Sequence, residues 1–438
     1  MSIEAVKKVE IFPMNKSSNS NTWSPEEGTN VLVFNIGAEE KYLKTDSVAL
    51  NFKLTLKSAA GGQPDNFGGT EIRQDPRIGA SSIIDSIVWA NKNNNVQEQI
   101  LHYNRLVASL LGVEHGFDDF STHLQQRYAA TSSSLASGRM QNRTVQCSMK
   151  LHLAMLMANA DTEGLLPLGV NHLNGVRLSI RLANAINANY GAQAVSSKYE
   201  LSDVSITCEM AIPAGKVLPK MAAIPLLNWS SYFGVLNNGD ETINIPTALG
   251  SVLSTFQNVV PTEWLNNSTK NESLTPTLLN KDAGGNYADI APVRNYDTLI
   301  GGLKNPYQFS QDETRNISQD AAGSYANSSY AAMRERYFLN AIEPYGNILH
   351  TLAGPLSEDL PSNDPSDEAN YNDYKANVWG LGCRYNNLGT SDGISMKNRP
   401  FTFRLRSALD GNSPNAIYSF MLHRSVLQLN GGNTVVAE

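Results

Sequence analysis

What this sequence has little of is charge, cysteine and unbroken apolar sequence. Of its 438 residues only 17% are Asp, Glu, Lys or Arg, and the formal net charge is -7. Proteins that hold nucleic acid strongly do so by releasing counterions with clustered Lys and Arg, so this balance excludes electrostatic capture of nucleic acid across the whole surface. The three cysteines, Cys147, Cys208 and Cys383, are far apart and show no C-x-x-C spacing. An odd, scattered set of this kind offers no disulfide framework and reads as core thiols in a reducing compartment. No stretch reaches the roughly 20 apolar residues that a membrane-crossing helix needs. The opening MSIEAVKKVEIFPMNKSS also lacks the apolar run of a signal peptide. The expectation is a protein made and kept in the cytosol or nucleus, in which the sequons at Asn142 and Asn327 stay unmodified because no transferase meets them.

Catalytic signatures are missing as well. There is no H-E-x-x-H and no G-x-S-x-G, and Gly215-Lys216 has Met210 where the first glycine of a phosphate loop belongs. Gly380-x-Gly382 has Tyr385 in place of a third glycine. The seven histidines are scattered: His152 falls on the polar face of a strand and His423 near the end of another, neither with partners at metal-ligand spacing. Asp161 with Glu163, and Asp118 with Asp119, are too close along the chain to span a glycosidic bond. Arg334, Arg336, Tyr337 and Phe338 combine base and aromatic character, but Glu335 and the acidic tract 357–368 favour a solvated or intersubunit helix face over a nucleic-acid contact. Arg177 and Arg181 read as the outer side of a sheet. No catalytic, cofactor-binding or metal-binding residue is assigned.

What is present is alternation. Val48, Leu50, Phe52, Leu54 and Leu56 interleave with Ala49, Asn51, Lys53 and Thr55, the period of a half-buried strand. The same period marks 31–36, 145–155, 175–182 and 199–210. Ser81–Trp89 is apolar on both sides, which places it inside a sheet. After the Asn-rich turn 91–95, Ile100, Tyr103, Val107, Leu110 and Leu111 recur at helical spacing up to Gly112. A boundary falls where Pro213, Gly215, Pro219 and Pro225 punctuate the chain. Beyond it, Trp229–Leu236 and Glu241–Ile245 flank Asn237-Asn238-Gly239-Asp240, a hairpin signal. Residues 262–330 and 354–395 are polar excursions, 331–342 fits a helix, and Phe401–Arg406 and Ala416–Arg424 are terminal strands.

The strand with Ile84, Asp85 and Ile87, the following Tyr103-Asn104 pair, and the Leu166-Pro167-Leu168 turn before the strand 175–182 resemble the first half of double jelly-roll major capsid proteins. That group comprises polinton-like viruses, virophages and large eukaryotic DNA viruses. The resemblance implies an all-β chain of two consecutive eight-stranded jelly-roll sandwiches with a few short helices and long surface loops. It divides the chain into an N-terminal arm (1–28), a first roll (29–212), a linker (213–224) and a second roll (225–438). It also implies a non-enzymatic virion protein that forms homotrimeric, pseudo-hexameric capsomers. Its partners are then neighbouring capsomers, penton proteins and minor capsid proteins; membrane contact stays open. The alternative is a two-sandwich carbohydrate-binding protein or glycosidase using Trp229, Trp264 or Trp379 as sugar platforms.

Overall fold

In the computed structural model, the described residues are 3–15, 21–57, 73–74, 79–107, 144–151, 153, 165–170, 172–190, 198–214, 223–236, 240–262, 265–267, 279–281, 287–289, 293–304, 309–310, 381–385, 393–407, 415–430 and 433–437. Eight principal strands come first: β1 (Ile3–Ile11), β2 (Val31–Ile36), β3 (Tyr42–Lys57), β4 (Ile84–Asn91), β5 (Val96–Leu101), β6 (Thr144–Lys150), β7 (Val176–Leu182) and β8 (Lys198–Pro213). Eight more follow: β9 (Ala223–Leu236), β10 (Asp240–Ile245), β11 (Val252–Pro261), β12 (Val293–Ile300), β13 (Leu303–Lys304), β14 (Leu381–Arg384), β15 (Phe401–Ser407) and β16 (Asn415–Asn430).

The first eight form two antiparallel sheets ordered β1-β8-β3-β6 and β2-β7-β4-β5. The second eight are ordered β9-β16-β11-β14 and β10-β15-β12-β13. Adding eight to each label turns the first pair of sheets into the second, so the two halves share one strand order although no sequence repeat is visible. Shorter pieces extend these sheets: Thr22–Trp23 pairs with β8, Leu165–Pro167 with β3, Phe309–Ser310 with β12 and Asn433–Ala437 with β16.

Alternation builds the first half. Leu50, Phe52, Leu54 and Leu56 point inward from β3, and Leu178 and Ile180 from β7, where they lie opposite Trp89 and Ile87 of β4. All belong to one buried cluster. Cys147 and Cys208 are part of it, and burial pushes their thiols up to about 12 and about 11, so both are inert hydrophobes at neutral pH.

Four expectations change. The segment 1–28 is not an arm throughout, because Ile3–Ile11 is the first strand of a sheet, paired with β8 from Ile3↔Pro213 to Ile11↔Ile206. Its Lys and Glu content masked an edge strand whose Val9 and Ile11 still reach the core. The helix expected from Ile100 starts at Tyr103, because Val96–Leu101 folds back on β4 as a hairpin partner. The hairpin at 237–240 does not form: β9 pairs with β16 and β10 with β15, so the chain crosses there from one sheet to the other. The expected excursion 262–330 contains β12, which lies between β15 and β13.

Candidate functional site

The residues screened for chemistry do not converge. His423 is buried, with its Nε2 3.0 Å from the Ser230 hydroxyl, and burial pulls its pKa down to about 4, so it packs as a neutral ring. Arg177 donates to Asn94 Oδ1 at 2.7 Å, and Arg181 Nε lies 3.7 Å from Asp85, both on the outer side of β7. Trp229 is 2% exposed and meets Phe256 edge to face at 5.5 Å, so it cannot serve as an open sugar platform. His152, Asp118, Asp119, Asp161, Glu163, Trp264, Trp379 and 334–338 lie outside the described residues, as do Asn142 and Asn327. Among the described residues no cluster of three or more His, Cys, Asp or Glu side chains could hold a metal ion.

Among the described residues, buried polar groups bridge the place where the two halves meet. The outer edge of β5 runs beside the outer edge of β9. The Trp229 backbone N–H donates to Glu98 Oε1 at 3.1 Å, and the Leu101 backbone N–H donates to the Ser231 hydroxyl at 2.8 Å. An open sheet edge presents unpaired backbone donors and acceptors that invite foreign strands. Here each half supplies a side chain to the other's edge. Glu98 lies opposite Trp89 on the inward face and is itself buried, so its carboxylate is held by the seam rather than by water.

A short turn of chain clamps this contact. His102 takes a left-handed φ of 55°, which ends β5 and starts the helical residues 103–107. Its ring packs on Tyr418 at 4.8 Å and on Phe233 at 5.5 Å, and burial holds the imidazole below its ordinary range. The Arg105 guanidinium lies 5.4 Å from the centre of the Tyr418 ring, and Asn258 donates to the Arg105 carbonyl at 3.4 Å. Trp229, Phe256, Tyr418, Phe420 and Leu422 present one face of the β9-β16-β11-β14 sheet to this turn, in the same cluster as Leu106 and Val107. Ile417 and Met421 face the other way, into a separate core with Phe401 and Phe403. The sheet is therefore buried on both sides, which explains the unbroken burial of β16 from Ala416 to His423. Nothing in the sequence marked Glu98; the clue was that 416–422 does not alternate.

No protein-family model matches the chain, and no curated protein matches it in sequence. Solved structures do match. A quasi-atomic model of the PBCV-1 virus capsid aligns over 100% of this chain and 98% of its own, at 10% identity and TM-score 0.58. The Faustovirus major capsid protein covers 97% of this chain and 90% of its own, at 7% identity and TM-score 0.57. The Sputnik virophage structure covers 100% and 89%, at 11% identity and TM-score 0.56. The fold is the double jelly roll of viral major capsid proteins. Each jelly roll is one set of eight principal strands, and the seam is where the two rolls join.

Proposed function

We propose that this chain is the major capsid protein of a DNA virus and resides in the virion. It trimerises into capsomers of pseudo-hexameric outline, and these tile an icosahedral shell that protects the genome. The observation that carries the reading is the repeated strand order, β1-β8-β3-β6 and β9-β16-β11-β14, with the two rolls joined at a buried seam. The full-length likeness to the PBCV-1, Faustovirus and Sputnik structures supports it. So does the use of buried polar groups, Glu98 and Asn258 among them, to join the rolls. On this reading the protein is not an enzyme, and needs no cofactor.

The rolls are assigned to residues 29–212 and 225–438, joined by 213–224, with β1 from the segment 1–28 added to the first. Partners are neighbouring capsomers, penton proteins and minor capsid proteins. Lattice contacts between capsomers can each be small because many act together. Light scattering on a size-exclusion column tests the capsomer: three times 47.7 kDa is expected, and a monomer at every concentration refutes it.

A further inference from the structure

β9 is longer than the strand it lies beside. β5 ends at Leu101, whose N–H donates to the Ser231 hydroxyl at 2.8 Å, whereas β9 runs on to Leu236. The left-handed φ of 55° at His102 turns the chain of the first roll off the line of β5 at this point. Residues 232–236 are therefore left as an edge: β16 pairs with them on one side, and among the described residues no strand lies on the other.

The direction of the backbone groups along that edge follows from Trp229. In an antiparallel pair, alternate residues turn both their N–H and their C=O away from the partner strand. The Trp229 N–H points outward to Glu98, so the N–H and C=O groups of Phe233 and Val235 point outward too. Their side chains are 48% and 44% exposed, and Leu101, at the end of β5, is 41% exposed. Edge strands are normally blunted by charge, proline or a bulge. Residues 232–236 have no charge and no proline, and the pairing of β9 with β16 runs without a register shift. β1, the edge at the same place in the first roll, carries Glu4, Lys7, Lys8 and Glu10 instead.

We propose that residues 232–236 take up an extended segment of a different polypeptide as an added strand, continuing along β9 the line that β5 leaves at Leu101. The N–H and C=O groups of Phe233 and Val235 supply the backbone pairing, which any sequence can answer, and the side chains set the preference. A short, uncharged segment with apolar residues at alternate positions would lay them beside Phe233, Val235 and Leu101. Continuity with the seam names the occupant: β5 already meets this edge as a single strand, and Leu101 and His102 bound the slot at the end nearer Ser231. The occupant is therefore as narrow as a strand. Nothing in the proposal requires capsomers, so its test can fail while the capsomer reading stands.

The test titrates the full-length chain with a fluorescein-labelled peptide of about eight residues, in which valine and threonine alternate between terminal lysines around a central benzoylphenylalanine. Micromolar binding is expected, with photocrosslinks mapping to residues 231–236. Val235→Lys, on an exposed side chain, is expected to weaken binding by roughly tenfold or more with the unfolding midpoint unchanged. Val235→Pro removes an outward N–H and is expected to abolish it. No binding at about 1 mM peptide overturns the proposal, as do crosslinks that map elsewhere. Equal binding of the same peptide fully N-methylated would show apolar adhesion without strand pairing, and also overturns it. Self-association of the chain that Val235→Lys removes would mean that a second copy takes the edge, which overturns it as well.

Discussion

The β1-β8-β3-β6 sheet of the first roll and the β9-β16-β11-β14 sheet of the second occupy the same place in the same topology, yet their outer faces have opposite chemistry. On the first, Asn51, Lys53, Thr55 and Lys57 of β3 lie beside Glu200 and Thr207 of β8 and Ser148 of β6, and β3 alternates strictly between buried and half-exposed positions from Val48 to Lys57. On the second, β16 is buried from Ala416 to His423 without alternation, because one face fills its own roll and the other packs on the 102–107 turn. Topology therefore does not decide what a face is for. The side chains do, and they separate a permanent internal seam from surfaces that stay wet until another chain arrives.

The sharpest way to break this contrast is truncation at the seam. Trp229→Ala removes a fully packed aromatic and is expected to cost about 3–5 kcal/mol in urea unfolding. Lys53→Ala, on the matching face of the first roll, should stay within about 0.5 kcal/mol. Similar costs at both positions would mean that the two faces do not differ as described.

Acid supplies the next effect. His423 is held neutral at a pKa of about 4, below the 6.5 of an exposed histidine, so below 6.5 the unfolded chain binds the proton that the folded chain refuses. Stability from this residue is complete above pH 6.5 and falls as pH drops toward 4, by on the order of 3 kcal/mol. Comparing unfolding at pH 7 and pH 4.5 in the parent and in His423→Asn isolates it, since the variant should lose that part of the acid sensitivity. An identical acid loss in both would place the titration elsewhere.

Glu98→Ala should cost about 1–3 kcal/mol, because it takes away the acceptor that the buried Trp229 N–H uses at the edge of β9. A neutral outcome would show that water replaces the carboxylate and that the seam is not dry there. The smallest effect belongs to the exposed Lys53–Asp203 pair at 2.7 Å: Asp203→Ala should change stability by less than about 1 kcal/mol, and less still in high salt.

Legibility followed the same contrast. Strands with one wet face, β2, β3, β7 and β8, announced themselves by a period of two. Those buried on both sides, β4 and β16, were read from their apolar content instead, and the edge strands β1 and β5 were not read as strands. β1 was hidden by Glu4, Lys7, Lys8 and Glu10, which suit an edge strand as well as a free arm. β12 was hidden in a polar stretch because its partners, not its own composition, hold it in the sheet. Ile100 matched a helical period by coincidence, since it lies opposite Ile87 and belongs to the hairpin. The Asn-Gly signal at 238–239 was read as a hairpin turn because local turn chemistry carries no record of which sheet each flanking strand joins. Glu98 was unreadable for a different reason: a lone carboxylate in a short strand gains its role only from a backbone N–H more than a hundred residues away.

The account stands most directly on the shape of the assembled protein. Negative-stain imaging of the purified chain should show threefold particles with six lobes and a hexagonal outline, each containing three copies of the two-roll body. Fields of separate two-lobed particles at every concentration would contradict it.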